Sequence, residues 1–126
     1  MNVPEGLKYT TDHEWIKVDG NTGTIGITDF AQGELGDIVF VDISSTLSEI
    51  TAGQTFGTIE AVKTVSDLYA PCTGKVLEIN HKLEAEPQVI NSDPFGEGWL
   101  IKIEIANPAE LDELLDSEAY KAQIGQ

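Results

Sequence analysis

A chain of 126 residues, 40% apolar and 23% charged, has the size and composition of one folded unit with its own core, so residues 1–126 are read as a single domain without a linker. Its 22 acidic residues against 7 basic ones give a formal net charge of -15, which excludes nucleic acid as a partner because phosphate binding needs basic patches. No stretch approaches the roughly 18 unbroken apolar residues of a membrane span, and the start Met1-Asn2-Val3-Pro4-Glu5-Gly6 has neither a secretory nor a transit pattern, so no membrane and a cytoplasmic protein are expected.

Along the chain, the first two thirds read as short strands broken by glycine. His13 to Asp19 alternates around Trp15, Asp19-Gly20-Asn21 is a turn, and Thr24-Ile25-Gly26-Ile27 resumes the alternation, which predicts a hairpin with Trp15 in the core. Thr28 is placed to cap a short helix from Asp29 to Leu35 that stops at Gly36, and Gly33 and Gly36 are assigned to backbone geometry. Ile38 to Ile43 reads as a buried strand, and Thr51 to Gln54 as a turn. Thr55 to Ala70 then reads as one long extended stretch, because no Asn-Gly or Asp-Gly interrupts it.

Pro71-Cys72-Thr73-Gly74 turns the chain into Lys75 to Asn80, where strict alternation fails after Val76. Trp99 to Ile105 is a cleaner strand, with Trp99, Ile101, Ile103 and Ile105 on one face. The end reads as helical. Asn107 as N-cap, Pro108 at the first position and Glu110 at the third suggest a capping box, followed by a buried stripe of Leu111, Leu114 and Leu115. Ser117 is read as the cap of a further helix through Ile124.

The chemistry is defined first by what is missing. His13 and His81 are the only histidines and lie apart, and no cysteine pair offers a zinc site, so no metal is expected. Neither Gly-rich phosphate motif occurs, and no nucleophile and base can be paired, so no catalytic residue is assigned and no enzyme is expected. Cys72, the single cysteine, reads as a small buried hydrophobe. All seven basic residues are lysines, namely Lys8, Lys17, Lys63, Lys75, Lys82, Lys102 and Lys121; without arginine the chain has no bidentate fork for anionic substrates.

One stretch stands apart: Gly57-Thr58-Ile59-Glu60-Ala61-Val62-Lys63-Thr64-Val65-Ser66-Asp67-Leu68-Tyr69-Ala70-Pro71. It resembles the lipoyl-attachment segment of glycine cleavage H proteins, and further blocks follow in family order: Tyr9 with His13-Glu14-Trp15, Gly26-Ile27-Thr28-Asp29, Leu35-Gly36-Asp37, Asn91 with Asp93-Pro94, and Gly98-Trp99-Leu100. Ala61 stands where serine is usual, and Ile43-Ser44-Ser45 replaces a segment expected to hold a proline and a glycine.

The resemblance implies a mainly β fold, a lipoyl-domain-like β-sandwich (barrel-sandwich hybrid) with short helices and a C-terminal helix. It places Lys63 at the tip of a β-hairpin, bearing lipoic acid in amide linkage as N6-lipoyllysine. It further implies a non-catalytic, monomeric cosubstrate. The P protein (glycine decarboxylase) loads the aminomethyl group of glycine onto the arm, the T protein (aminomethyltransferase) unloads it, and the L protein (dihydrolipoyl dehydrogenase) reoxidises the dithiol. A lipoyl-attaching enzyme is the fourth partner. Glu60 and Asp67 flank the lysine and either help that enzyme dock or simply solvate the hairpin; Glu14 is a candidate contact for a folded-back arm. Two alternatives stay open: a lipoyl relay protein that supplies other complexes, and a lipoyl or biotinyl module of a larger assembly. The biotinyl version is disfavoured because Val62 and Thr64, not methionines, flank the lysine.

Overall fold

The computed structural model describes residues 2–126 as two antiparallel sheets with short helices between and after them. In chain order the elements are β1 (Lys8–Tyr9), β2 (Glu14–Asp19), β3 (Thr22–Ile27), α1 (Asp29–Leu35), β4 (Ile38–Asp42), β5 (Glu49–Ile50), β6 (Thr55–Ala61), β7 (Val65–Tyr69), β8 (Gly74–Ile79), α2 (Lys82–Ala85), α3 (Val89–Ser92) and β9 (Ile101–Ile105), then a 3-10 helix at Pro108–Glu113 and α4 (Ser117–Gln123). A six-stranded sheet runs β1-β2-β3-β9-β8-β5, and a three-stranded sheet runs β4-β6-β7. The architecture is the mainly β sandwich expected, open and not a closed barrel.

The larger sheet buries both of its faces at one end. Ile16 and Ile25 pair across β2 and β3 and enter the main core with Ile59, Leu68, Ile101 and Ile103. Their neighbours Tyr9 and Trp15 pair across β1 and β2 and meet Tyr120 of α4 in a second cluster. Strict alternation therefore fails in β2, where Glu14, Trp15 and Ile16 are all buried. Trp15 lies over Gly26, where any Cβ would fall 2.7 Å from the indole, and its Nε1 donates to the carbonyls of Ile27 and Pro94. At the β2–β3 turn, Gly20 takes the left-handed conformation at φ 62.

Several local readings hold and several are corrected. Thr28 caps α1 by accepting from the Ala31 amide, and Gly36 at φ 81 ends it with its amide on the Gln32 carbonyl, as the residue types predict. Gly33 needs no special geometry: it is an ordinary helical position facing open space. The irregular alternation after Val76 is a β-bulge in the pairing with β9, which leaves Leu77 exposed. Trp99 precedes its strand and packs on the second cluster, with Lys102 Nζ 4.7 Å above its ring.

The C-terminal arm differs most. Pro108–Glu113 is a 3-10 helix, and Leu111, Leu114 and Leu115 are half-buried, because Leu115 exchanges both backbone hydrogen bonds with Tyr9 and so interrupts any continuous helix. Glu110 forms no capping box; its carboxylate accepts from the Thr73 amide (2.8 Å) and hydroxyl (3.0 Å) instead. Asp116, not Ser117, caps α4. The sequence reading lacked β1, β5, α2 and α3, each four residues or fewer and held by tertiary pairing rather than by a pattern of its own.

Candidate functional site

The extended stretch from Thr55 to Ala70 is two strands, and Val62, Lys63 and Thr64 form the tip between them, all exposed. Turn chemistry does not explain this reversal; the neighbouring strand does. Ala61 donates its amide to the Thr64 carbonyl (2.7 Å), and Val62 donates to the carbonyl of Asp37, just before β4 (3.1 Å). Ile38 pairs with Ala61, so the corner between α1 and β4 runs alongside the tip. Further down, β4 and β6 approach so closely that a Cβ on Gly57 would fall 2.6 Å from the Asp42 carbonyl oxygen.

That corner is itself stapled. Asn91 of α3 donates through Nδ2 to Gln32 Oε1 and to the Gly36 carbonyl, each at 2.9 Å, while its Oδ1 accepts from the Ile38 amide at 2.9 Å. All three groups of the side-chain amide are thereby used, which fixes the end of α1 against the start of β4. The Lys63 side chain lies against this platform, where a Cβ on Gly36 would stand 3.6 Å from Lys63 Cε. Among the described residues, the ion pairs involve His81, Lys82, Lys102 and Lys121, and not Lys63.

A groove of about 280 Å³ lies between α1 and β7, walled by Phe30, Ala31, Leu35 and Ser66, with Asp12, His13 and Glu34 contributing its polar groups. His13 stands in the left-handed region at φ 71, a conformation uncommon for a residue other than glycine. Its Nδ1 meets the Tyr120 hydroxyl at 2.9 Å, and its ring tilts against Phe30 at 4.8 Å between centroids. Burial lowers the His13 pKa below its usual 6.5, against the pull of Asp12 and Glu34, so the ring is neutral at physiological pH.

The proposed contacts do not gather in one place. Glu60 and Asp67 are exposed on the outer face of the small sheet: Glu60 sits in one cross-strand row with Phe40 and Val65, and Asp67 in the next with Asp42 and Thr58. Glu14 is buried at the other end of the hairpin. Its carboxyl accepts from the Thr10 hydroxyl (2.8 Å) and the Tyr69 amide (3.3 Å), and Tyr69 lies roughly 17 Å along the strand from Thr64 at about 3.3 Å per residue. Burial pushes the Glu14 pKa up to about 8, so at neutral pH it is mostly a neutral acid. Residue-by-residue reading missed Phe30, Leu35 and Ser66, which become a wall only when α1 docks beside β7, and Asn91, quoted within a block but given no role.

Other chemistry finds little footing. The Cys72 thiol is buried, which pushes its pKa up to about 11 and leaves it inert. Among the described residues no group of three or more His, Cys, Asp or Glu is arranged to hold a metal ion, and no helix is long and apolar enough to cross a membrane.

A family model described as Glycine cleavage H-protein matches residues 7–126. The glycine cleavage system H protein of Carboxydothermus hydrogenoformans is 60% identical over 119 residues, covering 94% of this chain and 92% of its own. That of Symbiobacterium thermophilum is 58% identical over 121 residues, covering 96% and 94%. The crystal structure of a glycine cleavage system H protein from Mycobacterium marinum superposes with a TM-score of 0.90 at 37% identity, over 98% of this chain and 100% of that one.

Proposed function

The chain belongs to the glycine cleavage H-protein family, and from that premise we propose that it is the lipoyl carrier of a glycine cleavage system, with Lys63 bearing lipoic acid in amide linkage. The observation that carries this reading is the Lys63 side chain: exposed at a hairpin tip, outside every ion pair of the described residues, and held on a corner that Asn91 fixes. An amine so placed is free to be acylated, and the Phe30, Ala31 and Leu35 side of the groove suits an unbranched hydrocarbon arm.

Attached there, lipoic acid supplies a redox-active disulfide on a long arm, able to take the aminomethyl group of glycine from the P protein to the T protein and to be reoxidised by the L protein. The chain's own residues present and orient. The corner at Gly36 to Ile38 sets where the arm leaves the surface, and Phe30, Ala31 and Leu35 offer it an apolar wall when it lies back. Asp12 and Glu34 put negative charge beside the groove, which favours a cationic amine there. Glu14 is then a buried, neutral candidate contact for the arm, at the other end of the hairpin from the tip. No residue here acts as a catalyst; the protein is a cosubstrate, a cytoplasmic one that works as a monomer with four protein partners.

The test is the exchange of labelled bicarbonate into the carboxyl group of glycine by a P protein. Exchange that rises with the lipoylated chain, saturates, and stays at background with the unmodified chain supports the reading. Exchange indifferent to lipoylation contradicts it, and a pure relay role predicts no exchange at all.

A further inference from the structure

Four of the six most exposed large apolar side chains among the described residues lie together beside the Lys63 tip: Val62 is 75% exposed, Val65 60%, Phe40 51% and Val39 46%. Their clustering follows from the register. Phe40 and Val65 flank Glu60 in one row across β4, β6 and β7, Val62 continues β6 two residues beyond Glu60, and the bulge between Ile38 and Phe40 leaves both Val39 and Phe40 open to solvent. A chain carrying a net charge of -15 has charge to spare for solubility, so an apolar cluster on one face asks for a partner.

The charges around the cluster indicate what kind. Asp37, Asp42, Glu60 and Asp67 are all exposed around or within it, and Lys63 is the single cation in β4, β6, β7 and their tip. Acylation of Lys63 removes even that one. A surface closing on the Lys63 amine next meets Val62 and Val65, one and two residues away, and then the acidic ring. We infer that Val39, Phe40, Val62 and Val65 form the docking face for the lipoyl-attaching enzyme, whose matching surface is an apolar hollow rimmed by lysine and arginine. This rests on the carrier reading above and adds to it the surface that gives that enzyme its affinity. The apolar centre supplies residence and the acidic ring supplies steering.

The experiment measures steady-state lipoylation of the unmodified full chain by a lipoyl-attaching enzyme. In the triple variant Val39→Thr, Phe40→Thr, Val65→Thr, and separately in Val62→Thr at the unpaired tip, KM is expected to rise, by about tenfold in the triple variant, with kcat within about twofold of wild type. Leu77→Thr, equally exposed but on β8, is expected to leave both constants unchanged. For the wild type, KM is expected to climb as salt rises from low to high ionic strength, and for Glu60→Gln, Asp67→Asn that climb is shallower. An unchanged KM in Val62→Thr and in a folded triple variant overturns the proposal. So does a wild-type dimer in sedimentation that the triple variant loses, since the face then serves a second copy of the chain. A wild-type chain that accepts no lipoyl group at all refutes the carrier reading itself, an outcome distinct from normal lipoylation with unaltered KM.

Discussion

Lys63→Arg is expected to lose all lipoylation and all glycine-dependent exchange while unfolding at the wild-type temperature. The loss is complete because a guanidinium keeps the charge but offers no amine that can be acylated under these conditions. The fold is untouched because Lys63 is exposed and outside the ion pairs, and substitutions at such positions shift stability by no more than about 0.5 kcal/mol. Exchange assayed beside thermal unfolding reads both halves. Exchange that survives at a substantial fraction of wild type contradicts the carrier mechanism, whereas a large drop in the unfolding midpoint shows that the side chain has a structural role the geometry does not reveal.

The second large effect is one of pH. The Glu14 carboxyl has a pKa raised by burial from the usual 4.5 to about 8, so the folded state holds its proton more tightly than the unfolded chain does. Its contribution to stability is fully present below about pH 4.5 and is lost as pH rises through 8. At about 1.36 kcal/mol per pKa unit, the wild type is expected to lose on the order of 5 kcal/mol from this group between pH 4.5 and 9. Glu14→Gln mimics the neutral acid in shape and cannot ionise, so it lacks that loss. His13, whose pKa burial lowers, works in the opposite sense, and that contribution is common to both proteins and cancels in their difference. Urea unfolding of both at pH 5 and pH 9 is the measurement. A gap that widens toward pH 9 in favour of Glu14→Gln is expected; parallel stability curves contradict it.

The sequence made the regular pieces legible and left the groove hidden. Hairpin β2–β3, helix α1 with its Thr28 and Gly36 ends, and the Ile101, Ile103, Ile105 face of β9 were all readable, because each is written in local periodicity or in a cap. The reversal at Lys63 was invisible to turn rules, since its geometry comes from Asp37 and β4 and not from the tip's own residues. Resemblance to a family, not periodicity, put the lysine at a tip. Glu110 and Leu115 misled for a similar reason: helical signals were present, but Thr73 and Tyr9 claimed those residues first. The burial of Glu14 was equally out of reach, because a strand residue beside an alternating tryptophan is expected to face solvent unless something covers the second face. Here the smaller sheet covers it: Glu14 shares the Ile16 face, and the Tyr69 amide of β7 donates to its carboxyl group.

The most direct test of the whole account is residue-resolved mass mapping of the chain after reaction with a lipoyl-attaching enzyme. One lipoyl group is expected, on the peptide that contains Lys63, with Lys8, Lys17, Lys75, Lys82, Lys102 and Lys121 bare. A lipoyl group on Lys75, or on any other lysine, with Lys63 unmodified would contradict it.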